Sequence, residues 1–528
     1  MAYDQKARMF WGAASGGKQS RGVLAAVGLF AAALLPACSG CQVEIERSEG
    51  THADGLYRGL LVGGTEPDGA FVVAQHERAP GEEELVLVSL AEDEKRTCSL
   101  GKAFWYTTVQ PRPPSYGDDE PSADARPARI LTLEGELGAE SGDLRIFDAS
   151  CVERMRVPSI VVAVWPMPTV WPVYGALGKI EAYAARTTSG EVVWIDPWAG
   201  TTRTIAENTS SWTYQYNKFW LIEGGSLVVR DREGNPLQTA GEGVTEVTTP
   251  YREDEVAYVD AKGLWVLKLG EPAPMAIPTA AAPCKPEYFY AGSMKLAYRD
   301  DCAAGVLAVR DLTTGDTRVL SAGVTSVRFL NRSSKSWIFF ARETPGKERE
   351  SWAVPGEGEP VLVGMNPRPD GFVLQSEVGF LVELDHDGTS GTLGKWTLEG
   401  GFSPLLEDFA GDWRGNGDYL ATLADAQEEV GTLVVFDRKT LAEALRVPRV
   451  HRASPSFSNQ APTLGYVHGW DDTLGGGTLG VWVTANGQQI DVDTGVSDFA
   501  ELFWPEPGIV YAVRTPERAG LWSAYPDL

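Results

Sequence analysis

The feature that most restricts how this 528-residue chain can fold is a short motif that recurs nine times from residue 190 onward. Each copy starts with glycine or serine and continues into β-branched or aromatic residues, as in GEVVWID and GTLVVFD. We call the first residues of the copies the motif-start residues; they are residues 190, 225, 263, 305, 351, 391, 431, 477 and 520. Their spacings of 35 to 46 residues are typical of a chain built from repeated supersecondary units.

One copy indicates what the unit contains. Residues 306–309 form an aliphatic run that predicts a buried strand, and residues 318–320 predict a second strand. Between them Asp311 can bond to backbone N–H groups and Gly315 tolerates a positive φ, so this stretch predicts a β-hairpin. Residues 288–298 supply two further extended segments separated by a turn. Four strands in about forty residues are typical of one blade of a β-propeller.

The composition agrees with an all-β fold, because helical periodicity is scarce beyond the first forty residues of a chain with 58 Gly and 33 Pro. Two weaker copies at residues 85–90 and 144–157 bring the modules to eleven, more than the usual four to about eight blades. We therefore predict a β-propeller of seven or eight four-stranded blades at residues 165–528. Residues 60–164 are predicted to form an additional β-rich N-terminal segment, interrupted by an acidic, proline-rich loop at residues 111–127.

The N-terminal residues 1–37 have the features of an export signal. Basic residues precede an apolar stretch at residues 22–33, which is too short for a comfortable membrane span. The basic region is long, so Met9 is an alternative start to Met1.

The end of this signal carries a second feature. Leu35 and Ala37 lie three and one residues before Cys38, which resembles the lipobox of bacterial lipoproteins, although Pro36 departs from its commonest residues. The resemblance implies a diacylglyceryl group on Cys38, followed by a flexible tether at residues 38–59. The alternative is an ordinary cleaved signal peptide with a chance cysteine.

The charge limits the partners. Cleavage after residue 37 removes four basic residues and one acidic residue, which leaves 42 Lys and Arg against 71 Asp and Glu, a net charge of −29. Such a surface repels phosphate backbones and anionic lipid headgroups, so a nucleic-acid partner is not predicted. The excess charge favours solubility and would also attract cations or a basic partner. Ser39, rather than aspartate, after Cys38 favours sorting to the outer membrane of a bacterium.

Cysteine usage agrees with export, because disulfides persist in oxidising compartments. Cys284 and Cys302 flank the inner strands of one predicted blade, and we predict that they form a disulfide. Cys98 with Cys151 is the second predicted pair, which leaves Cys41 unpaired beside the anchor.

The repeats at residues 251–269 and 289–320 resemble those of TolB-like β-propellers of exported bacterial proteins. The resemblance covers most of residues 190–528 and implies the propeller fold. It departs from that family where a Ser-Pro-Asp-Gly turn is frequent, because residues 290–293 read YAGS and residues 251–254 read YRED. The α/β domain that accompanies the propeller in TolB is not visible, so the resemblance implies little about function.

The sequence offers few candidates for chemistry. It has no Gly-x-Ser-x-Gly motif, and its five histidines are scattered at no metal-ligand spacing. Asp385-His386-Asp387-Gly388 is the most suggestive acidic cluster for Ca²⁺, but Trp396 stands where an EF-hand needs glutamate. Asp471-Asp472 lies in a comparable loop, and polar turns explain both more simply. We therefore predict no catalytic residue, no metal site and no cofactor.

Tryptophans recur at equivalent places in the repeats, which predicts packing of one blade against the next; a sugar-binding aromatic platform is the alternative. They are Trp194, Trp265, Trp352, Trp396, Trp482 and Trp522.

These features favour a lipid-anchored, non-catalytic propeller of the cell envelope that binds or scaffolds a protein, peptide or glycan through loops at the ring face. The alternative is a polysaccharide hydrolase or lyase with its active site at the propeller centre. Paired carboxylates for such chemistry are recognised by their separation in space, which the sequence does not give.

Overall fold

A computed structural model describes residues 45–48, 50–63, 70–79, 81–90, 96–109, 126–135, 138–161, 164–168, 180–248, 253–280, 288–289, 295–332, 335–369, 371, 373–458, 462–502 and 508–526. Every regular element in these ranges is a β-strand, which confirms the all-β prediction. The described residues contain no helix with the length and apolarity needed to span a bilayer.

The described strands form antiparallel sheets, of which seven have four strands and two have seven and eight strands. Within each sheet, consecutive strands of the chain are neighbours, except where the first two strands join the last one. Two short strands, β1 (Ile45–Arg47) and β2 (Ala53–Asp54), come first. Blade 1 contains β3 (Leu56–Gly63), β4 (Phe71–Ala79), β5 (Glu82–Ser89) and β6 (Thr97–Gly101); blade 2 contains β7 (Ala103–Val109), β8 (Arg129–Glu134), β9 (Ser141–Asp148) and β10 (Glu153–Val161). Blade 3 contains β11 (Trp165–Pro168), β12 (Ile180–Arg186), β13 (Val192–Asp196) and β14 (Thr201–Ala206); blade 4 contains β15 (Thr209–Gln215), β16 (Lys218–Glu223), β17 (Ser226–Asp231) and β18 (Pro236–Ala240).

The next three blades follow the same order. Blade 5 contains β19 (Glu246–Val247), β20 (Glu255–Asp260), β21 (Gly263–Lys268) and β22 (Met275–Ile277). Blade 6 contains β23 (Tyr288–Phe289), β24 (Lys295–Asp301), β25 (Val306–Asp311) and β26 (Thr317–Ser321). Blade 7 contains β27 (Val324–Arg332), β28 (Lys335–Arg342), β29 (Glu350–Pro355) and β30 (Val361–Met365).

Two long strands are each shared between blades. Blade 8 contains β31 (Val373–Gln375), β32 (Phe380–Leu384), β33 (Gly391–Thr397) and the first part of β34 (Gly401–Gly415), whose second part begins blade 9 with β35 (Tyr419–Gln427), β36 (Val430–Asp437) and β37 (Glu443–His451). Blade 10 contains β38 (Ser456–Phe457), β39 (Thr463–Asp471), β40 (Gly476–Val483) and the first part of β41 (Gln489–Leu502), whose second part begins blade 11 with β42 (Gly508–Val513) and β43 (Gly520–Pro526).

The repeated motif marks the third strand of a blade. All nine motif-start residues lie at or next to the beginning of the third strand of blades 3 to 11. The predicted hairpin at residues 306–320 is confirmed, because β25 pairs with β26, and the Asp311 carboxylate accepts the N–H groups of Thr313 and Thr314 at 2.8 and 3.0 Å. The two weaker copies correspond to β5 and β9, the third strands of blades 1 and 2.

The described residues therefore contain eleven blade-like units, where we predicted seven or eight blades and a separate segment at residues 60–164. Blades 1 and 2 have the same strand order as the others and occupy residues 56–161. The predicted number of blades followed the usual size of one ring rather than the eleven repeats in the sequence. In the structure, each of these repeats forms a unit with the same strand order. The loop predicted at residues 111–127 lies almost wholly outside the described residues.

The apolar core passes from blade to blade in a closed cycle. The side chains of a strand alternate between its two faces, so that in β12 Ala182 and Ala184 pack against blade 4 while Tyr183 and Ala185 pack against blade 2. Each pair of consecutive blades shares such a cluster, and the last one joins Val510 of blade 11 to blade 1. A sheet that is apolar on both faces needs a neighbour on each side to remove both faces from water. The closed cycle gives each of the eleven described blades two such neighbours. The chain is a β-propeller.

The two ends of the described chain close the ring together. Strand β1 pairs with β43 as the outermost strand of blade 11, and β2 also pairs with β43. The prediction of a flexible tether at residues 38–59 is therefore wrong from Ile45 onward, because β1 and β2 of this segment pair with the last strand. Near the first strands, the Asp498 carboxylate of blade 11 accepts the N–H of Gly59 at 2.7 Å, and the Tyr106 hydroxyl of blade 2 donates to the Gly59 carbonyl.

A buried carboxylate adds to this closure. Asp493 at the end of blade 10 has a side chain that is 2% exposed and accepts two hydrogen bonds from Arg518 of blade 11, at 2.7 and 2.6 Å. The Tyr511 hydroxyl donates to the same carboxylate at 3.0 Å, and the Thr494 N–H at 2.8 Å. Burial alone would raise the pKa of Asp493, but these donors outweigh it and hold the pKa below its usual value.

The predicted disulfides are partly visible. A disulfide joins Cys98 of β6 to Cys151, which follows β9, and so links blades 1 and 2; this is the second predicted pair. Cys302 is also disulfide-bonded, and its predicted partner Cys284 lies outside the described residues. Cys38 and Cys41 lie outside them as well.

Consecutive blades are also joined by backbone hydrogen bonds on one face of the ring. In an antiparallel four-stranded sheet, the turn between the second and third strands lies at the same edge as the connection to the next blade, and we call this face the upper face. There, N–H groups of the connection donate to the carbonyl that precedes the third strand of the previous blade. Examples are Thr209 to Gly190 at 2.8 Å, Val244 to Gly225 at 2.7 Å and Val324 to Gly305 at 2.9 Å.

We expect Gly305→Ala to test this junction. Gly305 has φ +60°, and an added Cβ would lie 2.9 Å from the Val324 carbonyl oxygen. Gly224 is the matched control, because it has φ +57° but no atom within 4 Å of an added Cβ. Gly224→Ala should cost about 1–2 kcal/mol of unfolding free energy from the left-handed backbone alone, and Gly305→Ala about 1–3 kcal/mol more from overpacking. Equal losses in urea titrations of the two variants would contradict this account of the junction.

A pH series should reveal the Asp493 interaction. Because its pKa is lowered in the folded state, its contribution is present above the unfolded pKa near 3.8 and is lost as the pH falls through the folded value. We expect Asp493→Ala to lower the unfolding free energy by about 3–5 kcal/mol at pH 7, and the difference from the native chain to shrink below about pH 4. Asp418→Ala, which removes a 68% exposed partner of Lys439, should change it by less than about 1 kcal/mol. An Asp493 effect that does not depend on pH would overturn the assignment.

Candidate functional site

The acidic cluster at residues 385–388 lies on the upper face of blade 8, in the turn between β32 and β33. One carboxylate oxygen of Asp387 accepts the N–H groups of Thr389 and Ser390 and the Thr389 hydroxyl, at 2.8 to 3.0 Å. The backbone bonds from Ser390 and Thr389, with the Thr389 hydroxyl, lower the pKa of Asp387 to about 2. This carboxylate therefore holds the turn together, as the simpler interpretation of the sequence had it.

His386 and Glu383 form a second group beside that turn. The Gly388 N–H donates to His386 Nδ1 at 3.0 Å, so a neutral ring carries its proton on Nε2, which lies 3.6 Å from Glu383 Oε1. The Glu383 side chain is fully buried, and Arg368 Nη1 lies 3.9 Å from its other oxygen. Arg368 comes from the connection between blades 7 and 8, so this group joins two blades.

Among the described residues, no three His, Cys, Asp or Glu side chains converge to hold a metal ion. Asp471, the other acidic candidate, accepts the N–H of Thr473 at 2.8 Å and so caps its own turn. The remaining four histidine contacts are His52 with Ser523, His76 stacked on Tyr57, His451 stacked on Trp470, and His468 with Asp491.

The repeated tryptophans pack between blades. Trp396 and Trp482 are 1% and 3% exposed, and the other four lie half-buried against clusters that two consecutive blades share. Arg203 and Arg232 each place a guanidinium 5.0 Å from the Trp194 ring, which further covers it. The packing interpretation therefore describes these side chains better than an exposed aromatic platform.

A depression with a volume of about 340 Å³ opens on the upper face beside blade 3. Its walls are Val161 from the end of blade 2, residues 186–190 from the turn of blade 3, and residues 208–210 from the connection to blade 4. Gly190, one of the motif-start residues, is among the residues that line the depression. The depression thus forms where the turns and connections of three blades meet.

The walls of the depression are held from behind. Thr188 donates its N–H to the Ser159 carbonyl at 2.8 Å, Thr209 donates to Gly190, and Gly190 donates to Thr187 at 3.0 Å. Arg186 directs Nη1 at the carbonyl oxygens of Thr209 and Ser210. These hydrogen bonds occupy backbone N–H and C=O groups of the walls. A ligand in the depression would therefore be recognised mainly by side chains.

Two side chains of the walls remain available. The exposed Thr188 hydroxyl and the exposed Asn208 amide have no hydrogen-bond partner within the described part of the chain. Asn208 has φ +51°, and its carbonyl accepts the N–H of Gly224 at 3.1 Å, which fixes the backbone that carries the amide. The sequence analysis missed these residues, because a Thr-Thr-Ser-Gly turn and an Asn before a strand look like ordinary turn chemistry.

The protein-family models contain no match to this chain, and neither do the curated proteins. Solved structures with similar β-sheet repeats include the dihydro-heme d1 dehydrogenase NirN in complex with DHE, at 16% identity, 73% of this chain, 77% of that chain and a TM-score of 0.35. The tricorn protease has 12% identity, 89% and 52% coverage and a TM-score of 0.29. BamB from Moraxella catarrhalis has 12% identity, 75% and 99% coverage and a TM-score of 0.24. Likenesses this weak carry no argument about what the chain binds.

Calcium titration should distinguish a turn from a metal site at residues 385–388. Because one Asp387 oxygen already accepts three hydrogen bonds, we expect millimolar Ca²⁺ to produce the same calorimetric heat with the native chain and with Asp387→Ala. Asp387→Ala should nevertheless lower the thermal midpoint in the absence of Ca²⁺. Saturable heat that disappears in the variant would contradict the structural role.

Proposed function

We propose that this chain is a lipid-anchored, TolB-like β-propeller of the bacterial cell envelope that acts as a non-catalytic binding or scaffolding module. The observation that carries the proposal is the depression on the upper face, where three blades meet and where the Thr188 and Asn208 side chains have no hydrogen-bond partner among the described residues. Propellers use this kind of place for recognition, because the scaffold holds the loops while their side chains vary. The partner belongs to the classes protein, peptide or glycan.

The lipid anchor rests on the resemblance of the residues before Cys38 to a lipobox. Six residues separate Cys38 from Ile45, the first residue of β1, so an extended chain would span about 25 Å at most. An acylated Cys38 would thus keep the outer strand of blade 11 close to the membrane surface. Stable attachment requires more than one acyl chain, which lipoprotein processing supplies.

The non-catalytic assignment is supported by how the candidate carboxylates are used. Asp387 and Asp471 cap turns, and Asp493 is held by an arginine and a tyrosine. None of the described residues that line the depression is Asp, Glu or His, and the neighbouring Glu191 carboxylate accepts the Ser189 hydroxyl at 3.1 Å. A hydrolase or lyase acting at the ring centre is the alternative from a different class, and the experiments below distinguish it.

The anchor is tested by mass spectrometry of the mature N-terminus from membrane fractions. We expect a diacylglyceryl mass on Cys38, and Cys38→Ala should release the protein to the soluble fraction. Cys41→Ala is the matched control and should leave the protein in the membrane. An unmodified N-terminus in the soluble fraction of the native chain would contradict the anchor and favour a freely secreted propeller.

The binding role is tested by capture from envelope extracts with the full mature chain. We expect a specific partner that Ser189→Trp, which fills the depression with an indole, no longer captures. Incubation of the same chain with envelope polysaccharides should release no reducing ends. Sustained release by the native chain would replace the binding role with the hydrolase.

A further inference from the structure

We propose that the depression between blades 2, 3 and 4 binds an uncharged glycan through the Asn208 amide and the Thr188 hydroxyl. This inference rests on the proposed function and names the class of partner for the same site.

The walls argue against an apolar ligand. They contain one aliphatic side chain, Val161, so such a ligand would find little surface to bury. None of the described lining residues carries a carboxylate, and the neighbouring Glu191 accepts the Ser189 hydroxyl at 3.1 Å. The remaining lining is hydroxyl, amide and one guanidinium that is directed at backbone carbonyls. Such a lining matches a ligand rich in hydroxyl groups.

The backbone of the walls argues against a peptide. Extended peptides bind by adding main-chain hydrogen bonds to unpaired N–H and C=O groups. Here the N–H groups of Thr188, Gly190 and Thr209 already donate to carbonyls within the ring. A peptide would find few main-chain partners, whereas a sugar needs side-chain donors and acceptors.

The available side chains suit adjacent hydroxyl groups. An amide offers one acceptor oxygen and two N–H donors, so Asn208 can accept from one hydroxyl and donate to the next. Thr188 stands on the neighbouring wall and supplies a hydroxyl that both donates and accepts. A volume of about 340 Å³ lies at the lower end of the range of ligand pockets, about 300–1,000 Å³.

The conformation of Asn208 adds preorganisation. Its left-handed φ of +51° and the bond from Gly224 to its carbonyl hold the Asn208 backbone in place before any ligand arrives. Backbone that is fixed in advance loses no further conformational entropy on binding, and only the side-chain rotamer remains to be ordered. Asn366 offers a matched comparison, since it has φ +46°, lies in the connection between blades 7 and 8, and accepts the N–H of His386 at 2.8 Å.

The test is calorimetric titration of the full mature chain with neutral gluco-, manno- and galacto-oligosaccharides and with matched oligosaccharides that carry uronate groups. We expect saturable binding of at least one neutral series. Asn208→Gly, which keeps the left-handed backbone and deletes the amide, should weaken it roughly tenfold, the effect of one or two lost hydrogen bonds. Asn366→Gly should bind like the native chain, and equal thermal midpoints of the two variants would confirm that the fold is kept.

Three results would overturn the inference: no neutral oligosaccharide binds, the uronate series alone binds, or Asn208→Gly binds as tightly as the native chain. If a specific envelope protein is captured equally by the native chain and Asn208→Gly, the glycan inference fails while the binding role stands. If the captures return no partner of any class, the proposed function itself fails.

Discussion

The ring depends on backbone hydrogen bonds that join most of the described blades to the next one on the upper face. Neighbouring blades share no strand pairing at most junctions, so their contact would otherwise consist of side chains that pack without direction. At Val324, the N–H donates to Gly305 and the carbonyl accepts from Arg299, so both backbone polar groups of one residue are bonded to the previous blade. Buried backbone groups need partners, and here that need fixes how each sheet is placed relative to the last.

Steric crowding explains glycine at several motif-start positions. The sequence showed these glycines as a repeat of regular spacing, which predicted a strand after each of them. It did not show what an added Cβ would meet: at Gly305 this is the Val324 carbonyl oxygen of the next blade at 2.9 Å, and at Gly391, Gly431 and Gly477 it is the second strand of the same blade. Blade 2 was recognised only as a weak copy, although Gly142 precedes Leu144 with the same spacing as Gly225 precedes Leu227. A Cβ at Gly142 would lie 2.1 Å from the carbonyl oxygen of Glu134, in the second strand of the same blade.

The candidate site was less predictable than the fold. Asp385-His386-Asp387-Gly388 was a candidate calcium site because a sequence shows where the charged residues are. It does not show which hydrogen bonds those residues already accept within the fold. Part of the acidity of this chain is structural, because aspartates accept N–H groups within their own turns; they include Asp196, Asp260, Asp311, Asp387 and Asp437. The depression is assembled from segments about twenty residues apart, each of which resembles a turn, so its recognition required the placement of three blades.

The pairing of β1 with β43 has a consequence for the time course of folding. A chain is synthesised from its N-terminus at about 5–20 residues per second, and Arg47 pairs with Ala524, which lies 477 positions later in the sequence. For roughly 25 to 95 seconds, β1 has no partner strand to join. Until then blade 1 also lacks the neighbour that covers Tyr57 and Val72. A chain that terminated before β43 would leave β1 unpaired and this face of blade 1 uncovered. The ring can therefore close only after β43 has been synthesised.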